Sequence, residues 1–139
     1  MAQQTPIRSL VDVFKAVADE TRLQMLALLF ERSELCVCHF ERTLEISQSK
    51  ASRHLRYLSN AGLLQDRREG VWMHYRLAED MSPERRLILE SVRRTLDQKL
   101  VVALRARLES SLCAPASTAM QPCCPPAATE PTASAEDRA

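Results

Sequence analysis

The amino-acid sequence predicts a mainly α-helical domain that carries one small β-hairpin. Aromatic residues make up only 4% of the 139 residues, which disfavours β-sandwiches and barrels and favours helices. Apolar residues recur at helical spacing along most of the chain. Two glycines, Gly62 and Gly70, are too few for a glycine-rich phosphate loop, so a nucleotide-binding enzyme is not expected.

Composition changes sharply near residue 114, which predicts a folded domain over residues 1–114 and a disordered tail over 115–139. The tail holds five of the seven prolines and has no Leu, Ile, Val or aromatic residue. Such a segment buries too little apolar surface to offset the entropy of ordering. The tail nevertheless contains a vicinal cysteine pair, Cys123 and Cys124.

The first half of the domain is predicted to be helical throughout. Asp19 and Ser47 are suited to cap the helices that follow them, and Gly62 is suited to end the second of these helices. Each predicted helix has an apolar face, such as the stripe that contains Leu23, Leu26 and Leu29. The predicted helices span about 7–18, 20–32, 36–43 and 48–61.

A hairpin and a long helix follow. Alternating apolar residues predict strands over about 63–68 and 71–77, joined at Glu69-Gly70. Ser82-Pro83-Glu84 predicts the start of a helix that extends to about Leu112. A domain of this size has too little core to cover the long apolar stripe of that helix, so we expect dimerisation through the terminal helices. The stripe consists of Leu89, Val92, Leu96, Leu100, Ala103, Leu104 and Leu108.

Two consecutive short helices followed by a basic hairpin are the layout of a winged helix-turn-helix. Although the whole chain has a net charge of only +1, residues 47–68 contain five basic residues and one acidic residue. The second helix would enter the major groove, where short polar and amide side chains suit base edges and basic side chains suit phosphates. The residues predicted to contact DNA are Ser47, Gln48, Ser49, Lys50, Ser52, Arg53, His54 and Arg56 on the helix, and Arg67 and Arg68 on the wing.

The segments ELCVCHF (34–40) and SQSKASRHLRYLSNAGLLQDRREGVWMHYRL (47–77) closely resemble the arsenic-sensing branch of the ArsR/SmtB winged-helix repressors. The resemblance covers about residues 10–110. It implies a homodimer that binds operator double-stranded DNA of an arsenic-resistance operon. It also implies that trivalent arsenic or antimony, held by thiolates, acts as the inducer that releases the DNA, with no organic cofactor.

Cys36 and Cys38 are the candidate thiolate ligands, since thiolates bind soft, thiophilic centres. In a regular helix, residues i and i+2 point about 200° apart, so a helix over 36–43 would have to unwind for both to bind one ion. The family often has a third cysteine where this chain has Glu41, and an acidic residue where it has His39. Further candidate ligands are Cys113, Cys123 and Cys124.

Two alternatives share the fold. Paired cysteines suit a thiol redox sensor, and His39 beside the cysteines suits a zinc or cadmium sensor. An enzyme is not expected, because nothing in the sequence builds a substrate pocket around a reactive thiol. No secretory signal is visible, and no stretch approaches the roughly 18 apolar residues that span a membrane. We therefore expect a cytoplasmic protein with reduced thiols and no membrane partner.

Overall fold

The structure is a computed structural model that describes residues 6–113. These residues form a mainly helical domain with a small antiparallel sheet whose strand order is β1–β3–β2, which confirms the predicted fold class. The predicted tail over 115–139 lies outside the described residues. The elements are α1 (Pro6–Val17), α2 (Glu20–Glu31), β1 (Leu35–Cys36), α3 (Val37–Leu44), α4 (Gln48–Asn60), β2 (Leu64–Glu69), β3 (Trp72–Leu77), α5 (Pro83–Thr95) and α6 (Gln98–Cys113).

The predicted helix caps are present and fix where the helices begin and end. The side chain of Asp19 accepts a hydrogen bond from the backbone N–H of Arg22, and that of Ser47 accepts one from Lys50. Gly62 follows α4 with a φ of +82°, a left-handed conformation that glycine adopts without steric cost. These local signals place α4 within one residue of the sequence prediction.

The hairpin turns one residue later than predicted. Glu69 still pairs with Trp72 across the two strands, so the connection consists of Gly70 and Val71. Gly70 has a φ of +63° and Val71 has no positive φ, which is the pattern of a type II′ turn with glycine at its first central position. The exposed wing tip is therefore Gly70-Val71 rather than Glu69-Gly70.

The segment that carries the cysteines differs from the predicted helix over 36–43. Cys36 is extended, with φ −78° and ψ 154°, and belongs to β1, where it pairs with His74 of β3. The helix begins only at Val37, so Cys38 lies in its first turn. The prediction of a continuous helix through both cysteines was wrong because pairing with β3 holds Cys36 in a strand.

The predicted long terminal helix is divided into two. Leu96 is extended, and the side chain of Asp97 accepts a hydrogen bond from the backbone N–H of Lys99, which begins a new helix there. As a result α6 packs against α2 and α3 of the same chain and buries Leu104 and Leu108. The chain itself therefore covers much of the apolar stripe that we expected a partner to cover.

Candidate nucleic-acid interface and thiol site

Helix α4 presents one apolar face to the core and one polar face to solvent. Ala51, Leu55 and Leu58 are fully buried and fix the rotation of the helix about its axis. The opposite face is formed by the exposed residues predicted to contact DNA, while Ser52 is half-buried beside them. The exposed residues are Ser47, Gln48, Ser49, Lys50, Arg53 and Arg56.

The turn between α3 and α4 depends on a residue that sequence reasoning missed. Glu45 has a φ of +56° and is the only described non-glycine residue with a positive φ. This left-handed residue ends α3 and lets Ile46 lead into the cap of α4. Buried Thr43 supports the same corner, because its hydroxyl lies 3.3 Å from that of Ser111 on α6. The two helices thus form a helix-turn-helix.

His54 lies on the side of α4 that faces α2, not among the fully exposed residues. Its Nδ1 is 3.2 Å from Nη1 of Arg22 and 3.8 Å from the carboxylate of Asp19. Burial, opposed in part by the charge of Asp19, lowers the pKa of His54 below its ordinary value, so the neutral ring accepts from Arg22. A base contact by His54 remains a prediction, but the structure gives this residue an internal role.

Arg22 is a second residue that the sequence did not single out. Its guanidinium donates to the backbone carbonyls of Lys15 and Ala16 at 3.0 and 2.7 Å, at the end of α1. It also contacts His54 and lies 4.2 Å from the ring centroid of Tyr57, both on α4. Arg22 therefore connects α1 and α2 to α4, the helix predicted to read DNA. Arg22 and its partners on α4 are far apart in the sequence, so no local pattern reveals these contacts.

The two basic residues of the wing have different environments. Arg68 is exposed at the end of β2, which suits a phosphate contact. Arg67 donates to Glu34 at 2.6 Å and to Glu69 at 3.2 Å, so its charge is already paired within the chain. Arg68 can thus make its predicted contact with DNA without rearrangement. Arg67 can do so only if a phosphate replaces Glu34 and Glu69 as its partner.

Cys36 and Cys38 are buried thiols at the junction of β1 and α3, with only 1% and 3% of their surfaces exposed. The backbone N–H of Cys36 donates to Nδ1 of His39 at 3.1 Å, which closes the junction. Burial and the nearby cations of Arg42 and Arg32 lower the pKa of His39 to about 4. Because Cys36 is already extended, bringing it to Cys38 requires less helix unwinding than the sequence suggested.

The described residues contain no preformed metal site. Nowhere in residues 6–113 do three His, Cys, Asp or Glu side chains converge as metal ligands. Cys113 is the last residue of α6, and its side chain, like Cys123 and Cys124, lies outside the described residues. A three-coordinate thiolate site therefore needs a ligand from beyond the described side chains.

No helix in the described part of the chain is long and apolar enough to cross a membrane.

The sequence of this chain is similar to those of known bacterial regulators. The family described as "Bacterial regulatory protein, arsR family" matches residues 19–66. The arsenic resistance transcriptional regulator ArsR1 of Pseudomonas putida is 54% identical over 65 residues, which are 47% of this chain and 51% of that protein. The arsenical resistance operon repressor of Escherichia coli is 42% identical over 95 residues, which are 68% of this chain and 81% of that protein. The chain thus spans about half the length of the first relative and most of the second.

Solved structures share the same fold. HlyU from Vibrio cholerae has a TM-score of 0.55 at 35% identity, covering 66% of this chain and 96% of that one. The antimony-specific transcriptional repressor AntR has a TM-score of 0.51 at 27% identity, covering 66% and 81%. The homodimeric winged helix-turn-helix DNA-binding domain Mb0332 from Mycobacterium bovis has a TM-score of 0.54 at 31% identity, covering 70% and 94%. The chain therefore belongs to the ArsR family of bacterial regulatory proteins, which are transcriptional regulators rather than enzymes.

Proposed function

We propose that the protein is a metalloid-responsive repressor of an arsenic-resistance operon. It would bind operator DNA as a homodimer and leave it when trivalent arsenic or antimony binds its thiolates. The observation that carries the proposal is the position of two buried thiols, Cys36 and Cys38, at the start of the helix that precedes α4. The names of the Escherichia coli and Pseudomonas putida relatives, and of the antimony-specific repressor, support the choice of inducer.

The surface of α4 supports operator binding. The N-terminal half of the helix exposes short polar side chains, which suit base edges, and the basic side chains of Lys50, Arg53 and Arg56, which suit phosphates. The wing adds Arg68 beside this surface. Because the apolar face of α4 is locked in the core, its polar face is held in one orientation, as a major-groove reader requires.

The exposed apolar residues of α1 and α5 support the homodimer. Ile7, Phe14 and Leu87 are 75%, 53% and 69% exposed, and a cavity of about 340 Å³ lined by both helices lies beside Ile7. Large apolar side chains of this exposure on neighbouring helices favour a protein interface. Two copies joined there would present two α4 helices to the two half-sites of an inverted repeat.

The donor chemistry at the junction fits a thiophilic inducer. Cys36 and Cys38 supply two soft sulfur ligands within three residues, and buried thiols have little competition from water. Burial and the neighbouring Cys36 raise the pKa of Glu41 above its ordinary value. The third sulfur would come from Cys113, Cys123 or Cys124. A reducing cytoplasm would keep all of these thiols available.

The test is release of a labelled DNA fragment from upstream of the gene, measured by fluorescence anisotropy. Reduced protein is titrated in parallel with arsenite, antimonite, zinc, cadmium and peroxide. We expect release by arsenite and antimonite at concentrations where the other agents have no effect. Release by peroxide alone would favour the redox-sensing alternative, and release by zinc or cadmium alone would favour a metal sensor that recruits His39.

Variants then assign the ligands. Cys36→Ser and Cys38→Ser should each keep DNA affinity and lose most of the arsenite response, because serine keeps the size but removes the soft sulfur. Truncation after residue 114 should keep DNA binding. A weakened arsenite response after truncation assigns the third ligand to the Cys123-Cys124 pair, and loss of response only in Cys113→Ser assigns it to Cys113. A full response in the Cys36→Ser, Cys38→Ser double variant would contradict the proposed site.

A further inference from the structure

One row of paired residues connects the thiol junction to the wing. Cys36 of β1 pairs with His74 of β3, and His74 pairs with Arg67 of β2 on its other side. Side chains of directly paired residues lie on the same face of a sheet. A single face therefore carries a candidate inducer ligand at one edge of the sheet and a basic wing residue at the other.

Glu34, the residue before β1, joins the two ends of this row. Its carboxylate accepts from Nη2 of Arg67 at 2.6 Å and from Nε at 3.4 Å, and it lies 3.7 Å from Nδ1 of His74. The hydrogen bond from Arg67 holds the pKa of Glu34 below its ordinary value, so the pair stays ionised. Nε2 of His74 is buried without a hydrogen-bond partner among the described residues and lies 3.6 Å from Glu69. The position of Arg67 thus depends on where Glu34 lies.

The thiol junction has to open before any ligand reaches it. Cys36 and Cys38 are 1% and 3% exposed, so neither sulfur is reachable in the closed junction. β1 is only two residues long and, among the described strands, pairs with β3 alone, so its opening breaks few backbone hydrogen bonds while it uncovers the buried side chains of Leu35 and Cys36. Because Glu34 is covalently adjacent to β1, opening β1 draws its carboxylate away from Arg67.

We propose that Glu34 is a positioning residue that couples opening of the Cys36–Cys38 junction to the conformation of the wing. With the junction closed, Glu34 holds Arg67 and with it the middle of the hairpin, so that the wing is fixed in the arrangement that presents Arg68 to DNA. With the junction open, Arg67 keeps only Glu69 of its own strand, and the wing loses that arrangement. The inducer role of the junction rests on the proposed function, but the coupling itself can be tested with DNA alone.

The experiment measures alkylation of Cys36 and Cys38 by iodoacetamide, followed by mass spectrometry of the peptide that contains both. In metalloid-free protein, Glu34→Gln should raise the alkylation rate about three- to fivefold, the effect expected from one partly exposed ion pair. In the unsubstituted protein, operator DNA should slow alkylation at least about fivefold. If a closed junction favours DNA binding, bound DNA must favour the closed junction to the same extent, because coupling between two sites is reciprocal. In Glu34→Gln this protection should fall to less than about twofold.

Glu90→Gln is the matched control, because Glu90 also pairs with an arginine, Arg94 at 2.9 Å, but does so on α5, outside the sheet. It should alkylate like the original protein. Arg67→Gln breaks the proposed contact from the other side. Without DNA it should raise the alkylation rate as Glu34→Gln does, so the test does not depend on the folding of a single variant. Unchanged alkylation in both variants, unchanged protection by DNA in Glu34→Gln, or equal effects in Glu90→Gln, would overturn the coupling.

The same variants separate this proposal from the proposed function. If arsenite fails to release DNA from the original protein, the metalloid-sensing function is wrong, while DNA protection of the thiols still reports on the coupling. If arsenite releases the original protein and Glu34→Gln responds to the same extent, the function stands and Glu34 is not the coupling residue. Loss of most of the response in Glu34→Gln, with arsenite still bound, supports both.

Discussion

Replacing Arg22 with alanine should destabilise the domain and misplace α4. The side chain makes two hydrogen bonds to carbonyls at the end of α1, at 2.7 and 3.0 Å, and one contact of 3.2 Å to Nδ1 of His54. It also stacks on Tyr57 at 4.2 Å. Alanine removes all four contacts and leaves the carbonyl of Ala16 and the ring of His54 without this donor.

The magnitude follows from these contacts. A hydrogen bond that involves a charged group contributes about 1.5–3 kcal/mol when well shielded, and an exposed cation–π contact about 0.5–1 kcal/mol. Because the contacts share one side chain and one of them is exposed, they are not additive. We therefore expect Arg22→Ala to lower the free energy of unfolding by about 2–4 kcal/mol, a large part of the roughly 5–15 kcal/mol typical of a domain.

Urea unfolding monitored by circular dichroism measures the loss of stability. Arg94→Ala is the control, because Arg94 is 78% exposed and makes only a surface pair with Glu90, and we expect a change of less than about 1 kcal/mol there. Operator affinity should fall in Arg22→Ala while its dependence on salt stays unchanged, since Arg22 acts by positioning α4. If the slope of log affinity against log salt concentration fell by about 0.9, as for one lost phosphate contact, Arg22 itself would bind a phosphate. Equal unfolding free energies for the two variants would refute the positioning role.

Three further predictions concern the interface, the junction and the core. Arg53→Ala should lower the slope of log affinity against log salt concentration by about 0.9 in DNA titrations, as for one lost phosphate contact; an unchanged slope would remove Arg53 from the interface. The pKa of His39 falls from its ordinary value of 6.5 to about 4 on folding, so the unfolded chain takes up the proton first as the pH drops. In the metal-free protein this residue should therefore lower the free energy of unfolding by up to about 2.5 kcal/mol between pH 6.5 and pH 4, and His39→Gln should flatten that dependence in urea titrations. Leu108→Ala, at a residue only 1% exposed, should cost about 2–5 kcal/mol, whereas a small effect would mean that α6 does not pack on α2 and α3.

The sequence predicted well those features that depend on neighbouring residues. The caps Asp19 and Ser47, the stop at Gly62 and the alternation of the hairpin are local, because each involves groups within a few residues of each other. The exposed polar face of α4 followed from helical periodicity alone. The motif around the cysteines and the recognition helix identified the family, which the comparisons confirm.

The features that the sequence missed depend on contacts between distant segments. Cys36 and His74 are far apart in the chain, so no local pattern could show that strand pairing delays the start of α3 to Val37. The division of the terminal helix at Leu96 and Asp97 lets α6 pack on α2 and α3, and helical periodicity does not record that packing. The sequence by itself determined the family and most of the elements, and it predicted the residues that carry the chemistry, since these rest on side-chain type and local spacing. Only the tertiary structure decided that the thiols are buried, that Arg22 contacts α4 and that Glu34 pairs with Arg67 of the wing, because these are contacts across the fold.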